Sequence, residues 1–120
     1  LTEVFELALA GKLDQAHIDW DRRTAIGVVM AAANYPESPR LGDTIQALPA
    51  DSDSCMVFHA GTTLDNGVLK TSGGRVLCVT ALGDSIRRAQ QTAYATISDI
   101  HFDGKQFRSD IGWRALPTNE

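Results

Sequence analysis

Cysteine is scarce: Cys55 and Cys78 are the only two in 120 residues. Each lies inside an apolar, strand-like run, with no CxxC and no His at ligand spacing. That argues against a disulfide framework and a thiolate metal site, and reads as two buried thiols of a cytoplasmic protein. Basic residues are outnumbered, 11 against 15 acidic, and the net charge is −4. No run of Lys or Arg forms a stripe, which excludes nucleic acid as a main partner. No apolar stretch approaches the roughly 18 residues of a membrane-spanning helix. The opening Leu1-Thr2-Glu3-Val4-Phe5 lacks the basic n-region of a signal peptide. It reads as a helix already under way, and the chain is expected to be a piece of a longer one. Catalytic signatures are missing too. There is no phosphate-binding P-loop, GxGxxG, nucleophile elbow or HExxH. No clustered Glu/Asn pair stands ready for Mg²⁺ and a triphosphate. The sequence therefore offers no catalytic residue and no metal ligand set.

What is present is ordinary globular composition, 43% hydrophobic and 22% charged, enough for one core. The chain 1–120 is read as a single domain: helix and connector over 1–23, then an antiparallel sheet region over 24–116 with a helix at 84–100. Apolar residues at 1, 4, 5, 8 and 9 have helical spacing, and Gly11 suits the position past a helix end. Trp20 in the polar connector is expected to pack a loop onto the core. Thr24–Ala33 reads as a strand covered on both faces. Thr44–Leu48 and Cys55–His59 read as further strands. Asp65-Asn66-Gly67 is the strongest hairpin signal. Val68–Thr71 leads to a second turn, Ser72-Gly73-Gly74, and Arg75–Leu82 is a long central strand. Asp84 or Ser85 caps a helix that buries Ile86, Ala89, Ala93, Ile97 and Ile100. Phe102–Arg108 suggests a short strand, and Ser109–Leu116 a closing loop or strand. Hairpin connections imply antiparallel pairing. The fold class is α+β: a small curled antiparallel sheet, or partial barrel, with packed helices.

Three constellations have chemical potential. In Lys70-Thr71-Ser72-Gly73-Gly74-Arg75, paired glycines allow backbone N–H groups to curl into an anion-binding nest. Ser72 adds a hydroxyl, Arg75 a planar fork and Lys70 a point charge. The alternative is a Gly-Gly hairpin turn flanked by solvated cations, and composition alone leans that way. His59 and Thr62, at a strand end, are either pocket residues or packing residues. Asp110 and Arg114 flank Gly112 as either a surface ion pair or a pocket edge.

Seven segments, in order, carry a resemblance: Val29-Met30-Ala31, Tyr35-Pro36, Gly42-Asp43-Thr44-Ile45, His59-Ala60-Gly61-Thr62, Gly73-Gly74-Arg75-Val76-Leu77, Thr80-Ala81-Leu82-Gly83 and Asp110-Ile111-Gly112-Trp113-Arg114-Ala115. Together they resemble the C-terminal domain of the phosphoribosylamine–glycine ligase family, ATP-grasp enzymes of purine biosynthesis. The resemblance implies a small antiparallel sheet domain whose parent joins phosphoribosylamine and glycine, using ATP and Mg²⁺ (or Mn²⁺). It implies that the ATP and metal site lies upstream in the same polypeptide and is missing here, so that this piece alone is inactive. It further implies that the turn Thr71–Arg75 faces the sugar-phosphate substrate. Arg75 would then bind phosphate, with Ser72, Gly73, Gly74 and Lys70 beside it and His59 and Thr62 at the pocket. The family carries glycine before the Tyr and after the Pro, where this chain has Asn34 and Glu37. Asn tolerates left-handed angles, whereas the Glu37 side chain works against close backbone approach of a ligand. A stand-alone binding or assembly module is the competing reading. A carrier domain fails, because Lys70 lies beside the Gly-Gly segment and not at a hairpin tip. A piece cut from a larger enzyme is also expected to leave apolar surface uncovered.

Overall fold

The computed structural model describes residues 1–118. Helix α1 (Thr2–Leu9) is followed by strands β1 (Thr24–Ala31), β2 (Cys55–His59), β3 (Thr62–Asp65), β4 (Val68–Thr71) and β5 (Arg75–Gly83), and then helix α2 (Ile86–Asp99). β5 lies between β1 and β2 in a three-stranded antiparallel sheet, and β3 and β4 form a separate pair. The class is α+β, with no closed barrel among the described residues.

β1 and β5 run antiparallel from Thr24 opposite Gly83 to Ala31 opposite Arg75, with a register shift after Met30. Paired residues share a face. Ile26, Val28 and Met30 therefore align with Ala81, Val79 and Leu77 and turn toward α2. All six are buried. The helix presents Ala89, Ala93 and Ile97 to them, as its 3.6-residue spacing requires. The two alanines keep the helix close to the sheet. Fully burying a side chain such as Val79 or Ile97 stabilises the fold by roughly 1.5–3 kcal/mol. Ser85 caps α2, its Oγ accepting from the Arg88 N–H at 3.2 Å. At the other end, Lys105 Nζ donates to the carbonyls of Ile97 (3.2 Å) and Ile100 (2.7 Å). These are the carbonyls a helix end leaves without a partner.

The closing segment is tied to α2 through polar bonds. Tyr94 Oη donates to the Arg108 carbonyl at 2.6 Å and accepts from the Ile111 N–H at 3.1 Å. Gln90 Nε2 donates to the Ile111 carbonyl at 2.9 Å.

Several expectations need correcting. The expected strands at Thr44–Leu48 and Phe102–Arg108 are single bridges, Thr44 with Lys70, Gln46 with His101 and Gln106 with Ala31. Too few consecutive backbone groups pair there to form a ladder. Trp20 is 83% exposed and packs no loop. Both cysteines are half-buried rather than buried. α1 ends as expected: Gly11 has φ +69°, and the N–H groups of Gly11 and Lys12 donate to the carbonyls of Ala8 and Leu7. Yet no residue of α1 is buried, and only Val4 and Leu7 are partly covered among the described residues. The radius of gyration is 17.4 Å, against about 14 Å for a compact chain of this length. α1 and the exposed connector that follows it contribute to the excess.

Candidate functional site

One tight hairpin joins β3 to β4, with Asn66 at φ +50° and Gly67 at φ +78°. Both central residues take the positive angles of the expected turn. From that turn one long ribbon runs back. β3 pairs with β4 from Asp65–Val68 to Thr62–Thr71, and β2 continues on β5 from His59–Leu77 to Cys55–Ala81. Between the two ladders, Ala60 and Gly61 on one arm face residues 72–76 on the other. The Ala60 N–H donates to the Val76 carbonyl, the Gly61 N–H to the Arg75 carbonyl and the Ser72 N–H to the Gly61 carbonyl, all at 2.8–2.9 Å. Ser72-Gly73-Gly74 is therefore a bulge inside one arm, not the expected second hairpin turn. Bulges bend a strand and re-aim its side chains.

Both glycines of the bulge answer to space. A Cβ on Gly74 would lie 2.7 Å from Cδ2 of Tyr35 and 3.2 Å from Cγ of Pro39. A Cβ on Gly73 would meet the Gly61 Cα at 3.1 Å. Neither Gly73 nor Gly74 has a positive φ, so the pair is not the alternating left- and right-handed nest that its sequence suggested. Among the described residues their N–H groups donate to no protein acceptor, whereas that of Ser72 is taken by Gly61.

Arg75 follows the bulge, exposed, with no ion-pair partner among the described residues. It edges a shallow concavity of about 340 Å³ with Val29, Ala31, Tyr35, Gln106, Phe107 and Arg108. The floor is mostly apolar and a second guanidinium stands on its rim. Across the bulge, His59 Nδ1 and Thr62 Oγ1 are 2.9 Å apart in a hydrogen bond. The structure thus gathers His59, Thr62, Ser72, Gly73, Gly74 and Arg75 around one irregularity of the ribbon.

Lys70 is placed differently. Its ammonium pairs with Asp65 at 2.9 Å across the β3–β4 ladder. Thr71 is buried and structural: its Oγ1 accepts from the Asp43 N–H at 3.1 Å. The expected Asp110–Arg114 ion pair does not form. Asp110 is bound twice by Arg108, at 2.9 and 2.8 Å, while the Arg114 guanidinium lies 5.5 Å from the Trp113 ring centroid. Arg108 reaches the carboxylate from two residues away on the same segment, whereas Arg114 lies beyond the Gly112 turn, at φ +84°. That pairing holds the Asp110 carboxyl below its ordinary pKa and raises that of Arg108, in both cases chiefly through the side-chain hydrogen bond. Asp110 and Arg114 edge another concavity, to which Arg108 also contributes.

Asn34 has φ +64°, the left-handed angle its residue type tolerates. Glu37 is exposed on a polar loop and has no positive φ. Sequence reasoning missed Gly61, Tyr35 and Arg108. The first two sat in plain view within His-Ala-Gly-Thr and Tyr-Pro. Arg108 gave no local signal.

Fold and bulge together define a small α+β domain with a cluster of unengaged donors at its surface. Among the described residues, no group of three or more His, Cys, Asp or Glu side chains is arranged to hold a metal. Residues 25–114 match the family described as phosphoribosylglycinamide synthetase, C domain, and the chain belongs to that family. It is 55% identical over 116 residues to the phosphoribosylamine–glycine ligase of Ralstonia nicotianae, covering 97% of this chain and 28% of that protein. The ligase of Escherichia coli O157:H7 is 52% identical over 120 residues, with 96% of this chain and 28% of that protein covered. A crystal structure of the Thermotoga maritima phosphoribosylamine–glycine ligase superposes with a TM-score of 0.72 at 34% identity, over 90% of this chain and 27% of that one. The chain thus spans little more than a quarter of the length of the relatives it matches. No helix of the described residues is long and apolar enough to cross a membrane.

Proposed function

We propose that this chain is the C-terminal, substrate-side domain of a cytoplasmic ligase that joins phosphoribosylamine to glycine with ATP in purine synthesis. Residues 24–116 are the sheet domain and residues 1–23 the helix and connector leading into it. The relatives' shared name and the description of the matched family as a C domain support this reading.

The single observation that carries the role of the site is Arg75. It is an exposed guanidinium with no carboxylate partner among the described residues, placed by a bulge at the edge of an apolar-floored concavity. A planar fork in that setting suits the oxygens of a phosphate monoester. The N–H groups of Gly73 and Gly74, unengaged among the described residues, and the Ser72 hydroxyl are its companions, and His59, hydrogen-bonded to Thr62, belongs to the other arm of the ribbon. Lys70, paired with Asp65, contributes little net charge and no direct contact. Asp110 and Arg114 border the neighbouring concavity.

Mg²⁺ (or Mn²⁺) with ATP supplies the activating chemistry of such a ligase. The described residues do not fit a metal–triphosphate site, so no step of that chemistry is routed through them. Their part is to bind and orient. The chain by itself is expected neither to hydrolyse ATP nor to form product.

The test is Arg75→Ala in the full-length enzyme. Loss of a charged hydrogen bond should weaken use of phosphoribosylamine by about 1.5–3 kcal/mol. A KM within about twofold of wild type at unchanged kcat removes Arg75 from the site.

A further inference from the structure

Arg75 and Arg108 line the same concavity, one from β5 and one from the closing segment. The backbone around Arg108 is fixed on two sides. Toward β1, the N–H and carbonyl of Gln106 pair with Ala31 at 2.9 and 2.7 Å, and Gln106 Nε2 donates to the Ala32 carbonyl at 3.1 Å. Toward α2, the Arg108 carbonyl accepts from Tyr94 Oη and the Ile111 carbonyl from Gln90 Nε2. The Phe107 ring lies 6.1 Å from that of Tyr94. The Arg108 side chain leaves this frame and is exposed.

Its guanidinium is held as well. Nε and Nη2 donate to the two Asp110 carboxylate oxygens at 2.9 and 2.8 Å. Exposure limits what such a pair adds to stability. What the pair supplies is orientation, since two parallel bonds fix the plane of the fork. A guanidinium carries five N–H donors, and Asp110 takes two of them. Nη1 and the second hydrogen of Nη2 have no acceptor among the described residues. Arg108, Asp110 and Arg114 together border the neighbouring concavity and sum to one net positive charge. The carboxylate therefore orients Arg108 without cancelling the local attraction for an anion.

We propose that Arg108 is a second ligand of the substrate phosphate, and that Asp110 is the positioning residue that orients its guanidinium. The proposal rests on the reading above that the concavity beside Arg75 takes that phosphate. A phosphate monoester presents three acceptor oxygens, more than one planar fork satisfies. Both arginines line a single concavity of about 340 Å³, so an anionic group seated there meets both. An arginine already held in place loses less side-chain freedom on binding than a free one.

Inhibition of the full-length ligase by ribose 5-phosphate and by ribose, each competing with phosphoribosylamine, tests this. The ratio of the two inhibition constants isolates recognition of the phosphate from that of the sugar. Arg108→Ala is expected to reduce the preference for ribose 5-phosphate about tenfold or more, with KM for ATP and for glycine within about twofold of wild type. An unchanged preference overturns the role of Arg108, even where both inhibitors weaken equally, because equal weakening marks a distorted site. Arg108→Lys keeps the charge without the fork and should also lose most of the preference. It decides the matter if the alanine variant fails to fold.

Asp110→Asn separates orientation from charge. It removes a negative charge beside the phosphate, so a carboxylate acting through charge alone gives a stronger preference when it is replaced. A carboxylate that orients Arg108 gives a preference weakened by about threefold, and no further loss in the Arg108→Ala background. A gain overturns the positioning role of Asp110. Arg75→Ala keeps the two readings apart. Preference lost with Arg75→Ala but kept with Arg108→Ala sinks this proposal alone. The reverse pattern sinks the phosphate role of Arg75 alone.

Discussion

Gly61 and Gly73 meet backbone to backbone across the ribbon. A Cβ on Gly61 would stand 2.6 Å from the Cα of Gly73, 2.8 Å from its nitrogen and 2.7 Å from the Arg75 carbonyl oxygen. Every one of those atoms is main chain, so no side chain can swing aside. The approach lets the ribbon hold its pairing on both sides of a three-residue bulge.

Gly61→Ala should therefore be costly although it adds one methyl group. Overpacking against fixed backbone is expected to destabilise the fold by about 1–3 kcal/mol, and to shift the Arg75 carbonyl that accepts from the Gly61 N–H. Urea melts of the full-length enzyme measure the first effect and KM for phosphoribosylamine the second. A melt unchanged from wild type would refute the tight contact.

Tyr35 and Gly74 should be energetically coupled. The ring occupies the space a Gly74 side chain needs. Gly74→Ala is expected to be destabilising in the wild-type background and milder once Tyr35→Ala has removed the ring. A double-mutant cycle should give a coupling of about 0.5–3 kcal/mol, the range for residues in contact. Strict additivity would mean that the ring does not rest on Gly74.

The cap of α2 is expected to follow the behaviour of exposed caps. Ser85→Ala removes the acceptor for the Arg88 N–H and should cost about 1 kcal/mol. Ser85→Asp, which restores an acceptor, should recover most of it. Equal stability of wild type and Ser85→Ala would show that the cap is idle.

Acid should break the local pairing of Asp21 with Arg23 in the connector. Asp21 accepts from Arg23 through both side chain and backbone, and its pKa falls from 3.8 to about 2. A depressed carboxyl contributes stability that is fully present above its unfolded value and is lost as pH falls through the folded one. Any contribution of Asp21 is therefore intact above about pH 4 and gone near pH 2. Asp110 follows the same sign through Arg108. Both groups are exposed, so the effect is small and weakened by salt. Carboxyl NMR titration checks it, and an Asp21 midpoint at the ordinary value would remove the pairing.

Much of this chain was legible before any coordinates. The periodicity of Ile86, Ala89, Ala93 and Ile97 gave α2 and its buried face, because a helix repeats every 3.6 residues regardless of context. Asn66-Gly67 gave the hairpin, because few other residue pairs accept two positive φ angles. Arg75–Leu82 read correctly as the central strand, since a strand flanked on both sides needs a near-continuous apolar run. The seven ordered segments led to the family.

Long-range placement was not legible. Ser72-Gly73-Gly74 reads locally as a turn, and becomes a bulge only because Ala60-Gly61 lies opposite. Asp110 was matched to Arg114 by spacing, yet Arg108 binds it from two residues away, and Arg114 lies over the Trp113 ring instead. Trp20 was expected to pack a loop onto the core and stands in solvent. Val29, Met56 and Phe58 lie far apart in sequence, and only strand register makes them one face. Local steric and hydrogen-bonding preferences are written residue by residue, so the sequence alone determined α2, the hairpin, the central strand and the family. Which groups face each other across the ribbon depends on contacts between distant residues. Only the tertiary structure decided where Arg75 points from and what remains uncovered beside it.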